Sequence, residues 1–150
     1  VTWRLVAPHF ARRIQLAAFL IAIGFGMDYL FTPPGSSGAL TFVERAFLPL
    51  WVWGAVIIAA GLAGFLVEWL ILGDDHPLLL TPKRWRWGWV SNMAHTVIFA
   101  AFVVLSASSL FDIIGRGFEG GGWYGWRTAL MWGGFAYANF QFIRRIGQPI

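Results

Sequence analysis

Four stretches of this chain each run for 18 to 23 residues with no more than one charged side chain, and this recurrence constrains the fold more than any motif does. A helix crosses about 30 Å of hydrocarbon with roughly 17–25 mostly apolar residues. No water is available there, so every backbone polar group must be satisfied inside the structure. The first stretch extends from Ile14 to Phe31, with Asp28 as its only charge, and stops at Thr32-Pro33-Pro34-Gly35, where proline withdraws a backbone donor. The second runs from Leu50 to Leu72, contains Glu68, and is followed by Gly73-Asp74-Asp75-His76-Pro77. The third runs from Trp89 to Phe111 and holds His95 but no Lys or Arg; Asp112 and Gly115-Arg116-Gly117 are expected to end it. The fourth runs from Tyr124 to Ile143, contains Arg127, and lies between a triple glycine and Arg144-Arg145. The pattern predicts an all-α polytopic membrane protein: one domain over residues 1–150, with four transmembrane helices at about 14–31, 50–72, 89–111 and 124–143.

Composition agrees. Only 12% of the 150 residues are charged and 58% are hydrophobic, against about 25% charged in soluble domains. So few charges could not cover the surface of a soluble enzyme, and they argue against a disordered tail or a nucleic-acid module. The net charge of +4 comes from 11 basic and 7 acidic residues, and its distribution is more informative than its size. Arg4, Arg12, Arg13, Lys83, Arg84, Arg86, Arg144 and Arg145 fall on one side of the expected spans, and Arg45, Arg116 and Arg127 on the other. The positive-inside rule then places both termini and the middle connection in the cytoplasm, with the chain in a bacterial inner membrane. Trp85, Trp87 and Trp89 suit the inner headgroup level, and Trp123 and Trp126 the outer one. The first 31 residues also imitate a signal peptide, but their apolar part exceeds the about 7–15 residues of a signal core. A retained span is expected.

The connections leave choices open. Residues 39–48 read either as a short amphipathic helix in the outer interface, with Phe42 and Ala46 on one face, or as the first turns of a second helix kinked at Pro49. Pro77 to Pro82, enclosing three leucines, reads as a loop dipping into the inner interface.

Helices in lipid associate through small residues and occasional polar contacts. Ala60 and Gly64 are four apart on the second span, and Gly54 and Gly61 seven apart. Gly24 and Gly26 lie close together on the first span, while Gly133 and Gly134 on the fourth pair with Ala129 and Ala138. These positions predict helix packing, within one chain or between copies. Asp28, Asp112 and Arg127 fall toward the outer face, where they could form an ion-pair layer. Glu68, His95, Asn92, Asn139, Gln15 and Gln141 fall toward the inner face. Glu68 and His95 form a candidate polar pair, either an ion-sensitive vestibule or groups bonded between helices and to the interface.

Signatures of catalysis are missing from the sequence. It contains no HExxH and no phosphate-binding loop ending in Lys-Ser or Lys-Thr. Cysteine is absent, and only one histidine falls in a span, which argues against two-ligand haem. The expectation is a protein that is not an enzyme, with no cofactor, no metal, no nucleic-acid partner and no small-molecule substrate.

The Pro8-His9-Phe10-Ala11-Arg12-Arg13-Ile14-Gln15 tail, the Thr32-Pro33-Pro34 break, the Trp- and Gly-rich stretch from Trp51 to Gly64 and the basic carboxyl end carry a resemblance. In this layout the chain resembles small four-span membrane proteins of actinobacterial bacteriophages, often encoded near lysis genes. The resemblance implies a holin-like role, in which the protein oligomerises in the inner membrane and permeabilises it during host lysis. Independently of it, the same small-residue faces fit a non-catalytic accessory or structural subunit docked on a larger membrane partner. Conduction through Glu68 or Asp28 is a third expectation.

Overall fold

The computed structural model describes residues 8–36, 38–46, 48–73, 82–123 and 125–144. Five α-helices follow one another among them: α1 (Pro8–Phe31), α2 (Gly38–Ala46), α3 (Leu50–Leu66), α4 (Pro82–Phe118) and α5 (Trp126–Ile143). A π-helical turn, Val67–Ile71, prolongs α3. Prolines open α1 and α4, as suits a residue whose missing N–H is unpaired at a first helical position anyway. Phe10–Phe31, Leu50–Ile71 and Trp85–Phe118 are long and apolar enough to cross a membrane. The protein is thus an all-α polytopic membrane protein. Helix α5 has 18 residues but interleaves Arg127, Asn139 and Gln141 with its apolar side chains, and it is less apolar than those three.

Several boundaries differ from the sequence-based expectation. Helix α1 starts at Pro8 rather than Ile14, so Arg12 and Arg13 are helical. Helix α4 starts seven residues before Trp89 and continues through Asp112 and Gly115-Arg116-Gly117, which do not end it. An Asp112–Arg116 ion pair at i, i+4 spans that stretch at 2.9 Å, and such pairs support a helix. The stop comes at Gly120, whose φ of 80° is left-handed. There the Gly121 N–H bonds back to the Arg116 carbonyl at 2.8 Å, closing the last turn as a Schellman cap does. Residues 39–46 belong to a separate helix, set off from α3 by Pro49, which is the N-cap residue of α3. Leu40 and Val43 of α2 are buried, and the helix packs chiefly on α4. The expected dipping loop, apart from Pro82, lies outside the described residues.

The four long helices alternate in direction. Helix α1 packs chiefly on α3 and α5 chiefly on α4, and a smaller contact between α3 and α4 joins the two pairs. The α1–α3 contact brings backbones together: a Cβ on Gly26 would stand 2.8 Å from the Gly54 carbonyl oxygen, and one on Gly54 would stand 2.6 Å from the Gly26 oxygen. Only residues without a side chain permit that approach. Aromatic side chains fill the space between α1 and the α4–α5 pair. Phe25 meets Phe102 edge-on at 5.2 Å and Phe135 at 6.0 Å, and Tyr29 meets Trp132 at 6.3 Å.

Candidate functional site

Large aromatics fill one half of the bundle, and the other half buries a set of polar side chains. Gln15, Glu68, Ser91, His95 and Asn139 are all at or near zero exposure. They come from the start of α1, the π-helical turn, the start of α4 and the end of α5. The alternating direction of the helices brings these four segments to one end.

The cluster has two stations. In the first, Gln15 Nε2 donates to Glu68 Oε1 at 2.9 Å and to Ser91 Oγ at 3.0 Å. One amide therefore ties α1 to both neighbouring helices. In the second, one helical turn further along α4, His95 Nδ1 lies 2.7 Å from Asn139 Oδ1. Asn139 Nδ2 donates to the Phe135 carbonyl at 2.9 Å, so its oxygen faces the imidazole and the proton sits on Nδ1. His95 Nε2 is buried with no hydrogen-bond partner among the described residues. The ring itself is sandwiched: Phe19 stacks on one side at 4.3 Å and Phe142 on the other at 4.8 Å. Gln15 and Phe19 are four apart on α1, as Ser91 and His95 are on α4, so the two stations share their helix faces.

The π-helical turn shapes the first station. Leu72 N–H bonds to the Val67 carbonyl at 2.9 Å, a spacing of five residues. Local widening of this kind recurs at functional sites. Arg12 closes the turn from α1, with Nη2 donating to the Glu68 carbonyl at 3.1 Å and Nη1 to the Gly73 carbonyl. A cation over the last carbonyls of a helix is favourably placed against its dipole.

Glu68 and His95, expected as a pair, occupy the same end of the bundle, where Glu68 accepts from Gln15 and His95 bonds to Asn139. The expected outer layer is not formed as such. Asp112 pairs with Arg116 rather than Arg127, and Asp28 and Arg127 are both exposed, with no ion pair joining them among the described residues. Their outward directions on separate helices explain the difference. Of the small residues, Gly54 and Gly61 both face α1, and a Cβ on Gly64 would meet the Phe19 ring at 2.4 Å. Ala60 packs against the core at partial burial. Gly133 approaches Ser106 Oγ, whose hydroxyl donates to the Ala129 carbonyl at 2.9 Å. Gly134 and Gly24 have nothing within 4 Å of an added Cβ, so neither packs a helix within the chain. Trp85, Trp87, Trp89, Trp123 and Trp126 are all exposed, as side chains meeting an interface must be.

Sequence reasoning placed Gln15 and Asn139 at the inner end without identifying them as the partners of Glu68 and His95, and it missed Ser91 and the Arg12 clamp. The four-residue spacings Gln15–Phe19 and Ser91–His95 were the available signal. Beyond His95 the core continues through Ile98, Phe102, Leu105 and Trp132, with Ser106, Ser108 and Ser109 buried alongside them. Among the described residues, no group of three or more His, Cys, Asp or Glu side chains is placed to hold a metal ion. Chemically, the arrangement fixes helix register through directional bonds and keeps one imidazole acceptor, His95 Nε2, enclosed. Comparison with known protein families, characterised proteins and solved structures finds no match.

Proposed function

We propose that this chain is a non-catalytic membrane protein of a bacterial inner membrane that serves as an accessory or structural subunit on a larger membrane partner. In this reading α5 is a fourth crossing and both termini are cytoplasmic. The observation that carries it is where the small residues go. Gly26, Gly54, Gly61 and Gly64 are used in contacts inside the chain, and the buried polar cluster locks the same helices in register. The fold therefore completes itself without a second copy. The described outer surface presents apolar side chains such as Leu20, Ile21, Leu62, Leu66 and Leu130, with no water-facing stripe of the kind a lesion lining needs.

The holin-like reading draws on a different observation. An outward groove of about 390 Å³ runs between α4 and α5, with Gly133 among its lining residues and Phe99, Val103, Tyr137 and Phe140 as walls. Gly134 stands open on the same helix. Small residues left free in this way offer a packing face to another copy, as lysis by oligomerisation would need.

One experiment separates the two. The chain is expressed from an inducible promoter in an actinobacterial host while membrane potential and optical density are followed, with and without a co-expressed endolysin. The subunit reading expects membrane-inserted protein with normal potential and growth. Abrupt depolarisation after a delay, with lysis only when endolysin is present, would overturn it in favour of the holin-like reading.

A further inference from the structure

At the polar end of the bundle, a cleft of about 520 Å³ opens between the first turns of α1 and α4 and the end of the π-helical turn. Arg12, Arg13 and Lys83 line it, together with Trp69, Leu70 and Gly73, and no carboxylate stands among its described lining residues. Arg12 is the fixed member, held by the Glu68 and Gly73 carbonyls. Arg13 and Lys83 are exposed and sit on separate helices, near N-terminal ends whose dipoles add positive potential. Trp69 and Leu70 are also exposed, at 56% and 68%, and they give the cleft an apolar wall beside its cations. Three cations over an apolar wall at the end of a membrane bundle match an amphiphile with a phosphate headgroup. Basic pockets between membrane helices recognise such headgroups.

We infer that this cleft binds the phosphate of an anionic phospholipid, with Arg12, Arg13 and Lys83 around the phosphodiester and the glycerol and upper acyl chain against Trp69 and Leu70. The site is independent of whether the chain acts as a subunit or as a lesion former. Free phosphate offers the same charge without the chain, so the apolar wall is what favours the lipid. Asp74 and Asp75 follow Gly73 in the sequence, so the test controls for these acids as competitors for the cations.

The test uses the whole chain in nanodiscs of equimolar phosphatidylglycerol and phosphatidylcholine, with retained lipid read by native mass spectrometry. The wild type is expected to retain phosphatidylglycerol preferentially. Arg13→Gln and Lys83→Gln should each weaken that retention about fivefold, and the double variant about 25-fold. These two side chains are chosen because Arg12 also holds the helix end. Unchanged helicity and melting in phosphatidylcholine alone would show that the variants remain folded. Equal retention by wild type and double variant would overturn the site. Displacement of the lipid by millimolar inorganic phosphate would overturn the lipid as its occupant. Retention that emerges only in an Asp74→Asn, Asp75→Asn variant would show the chain's own acids filling the cleft, and would also overturn it.

Discussion

His95 and Asn139 are joined across 2.7 Å, from the first half of α4 to the end of α5, while Phe19 and Phe142 cover the two faces of the imidazole. The bond and the stacking can be separated by substitution. His95→Phe keeps a flat ring between the two phenyls and loses the bond. His95→Ala loses both and leaves a cavity. Hydrogen bonds between membrane helices contribute about 0.6 kcal/mol on average and up to about 1.7, whereas truncating a packed side chain costs about 2–5 kcal/mol. Thermal unfolding in detergent should therefore rank His95→Ala well below His95→Phe, with Asn139→Leu close to the latter. Equal losses for the two His95 variants would mean that stacking contributes little.

Gly26 and Gly54 define a backbone crossing, and the neighbouring glycines supply the control. Gly54→Ala forces its methyl to 2.6 Å from the Gly26 oxygen and 2.8 Å from the Leu30 nitrogen, and backbone cannot step aside as a side chain does. Overpacking of this kind costs about 1–3 kcal/mol. Gly24→Ala and Gly134→Ala meet nothing within 4 Å and should be neutral or stabilising by up to about 1 kcal/mol, through helix propensity. Melting temperatures of the three variants check the ordering. A destabilised Gly134→Ala in membranes, with normal stability in dilute detergent, would instead point to a contact between copies.

That contrast also shows what the sequence made legible. Apolar run length set out the three long apolar helices, and the seven-residue spacing of Gly54 and Gly61 placed both on one face. Gly24 and Gly134 looked equivalent to these by composition, yet only the rotation of each helix about its axis decides which glycines meet a neighbour. The polar site was legible by depth, since Glu68, His95, Gln15 and Asn139 all fall near one end. Pairing was not, because it depends on the π-helical turn and on which helix stands beside which. Helix ends were obscured for a local reason: Gly115 and Gly117 read as breakers, while the Asp112–Arg116 pair and the cap at Gly120 carry α4 past them.

Asp28 and Arg127 offer a test of charge pairing in which little should happen. Both are exposed and unjoined, so a double-mutant cycle of Asp28→Asn with Arg127→Gln should give a coupling within about 0.5 kcal/mol of zero. The cycle for Asp112→Asn with Arg116→Gln should give about 0.2–1 kcal/mol, as for other partly exposed pairs. Stability measured at low and high salt would reveal the difference, since only the second coupling should shrink on screening. A large Asp28–Arg127 coupling would restore the outer layer expected from the sequence.

The absence of cysteine makes the direction of each crossing directly measurable. Single variants Thr2→Cys, Ser36→Cys and Gln148→Cys can be labelled with a membrane-impermeant maleimide in intact cells and again after permeabilisation. The distribution of eight basic residues against three predicts that Ser36→Cys reacts in intact cells, and that the two terminal positions react only after permeabilisation. The decisive position is Gln148→Cys, because the polar residues of α5 make it the least apolar of the long helices. Its partners favour a full crossing: Asn139 is bonded to His95 at one end of the bundle, and Trp132 packs against Tyr29 toward the other. If Gln148→Cys labels in intact cells together with Ser36→Cys, α5 does not cross, and the proposal of a four-span bundle with both ends in the cytoplasm fails.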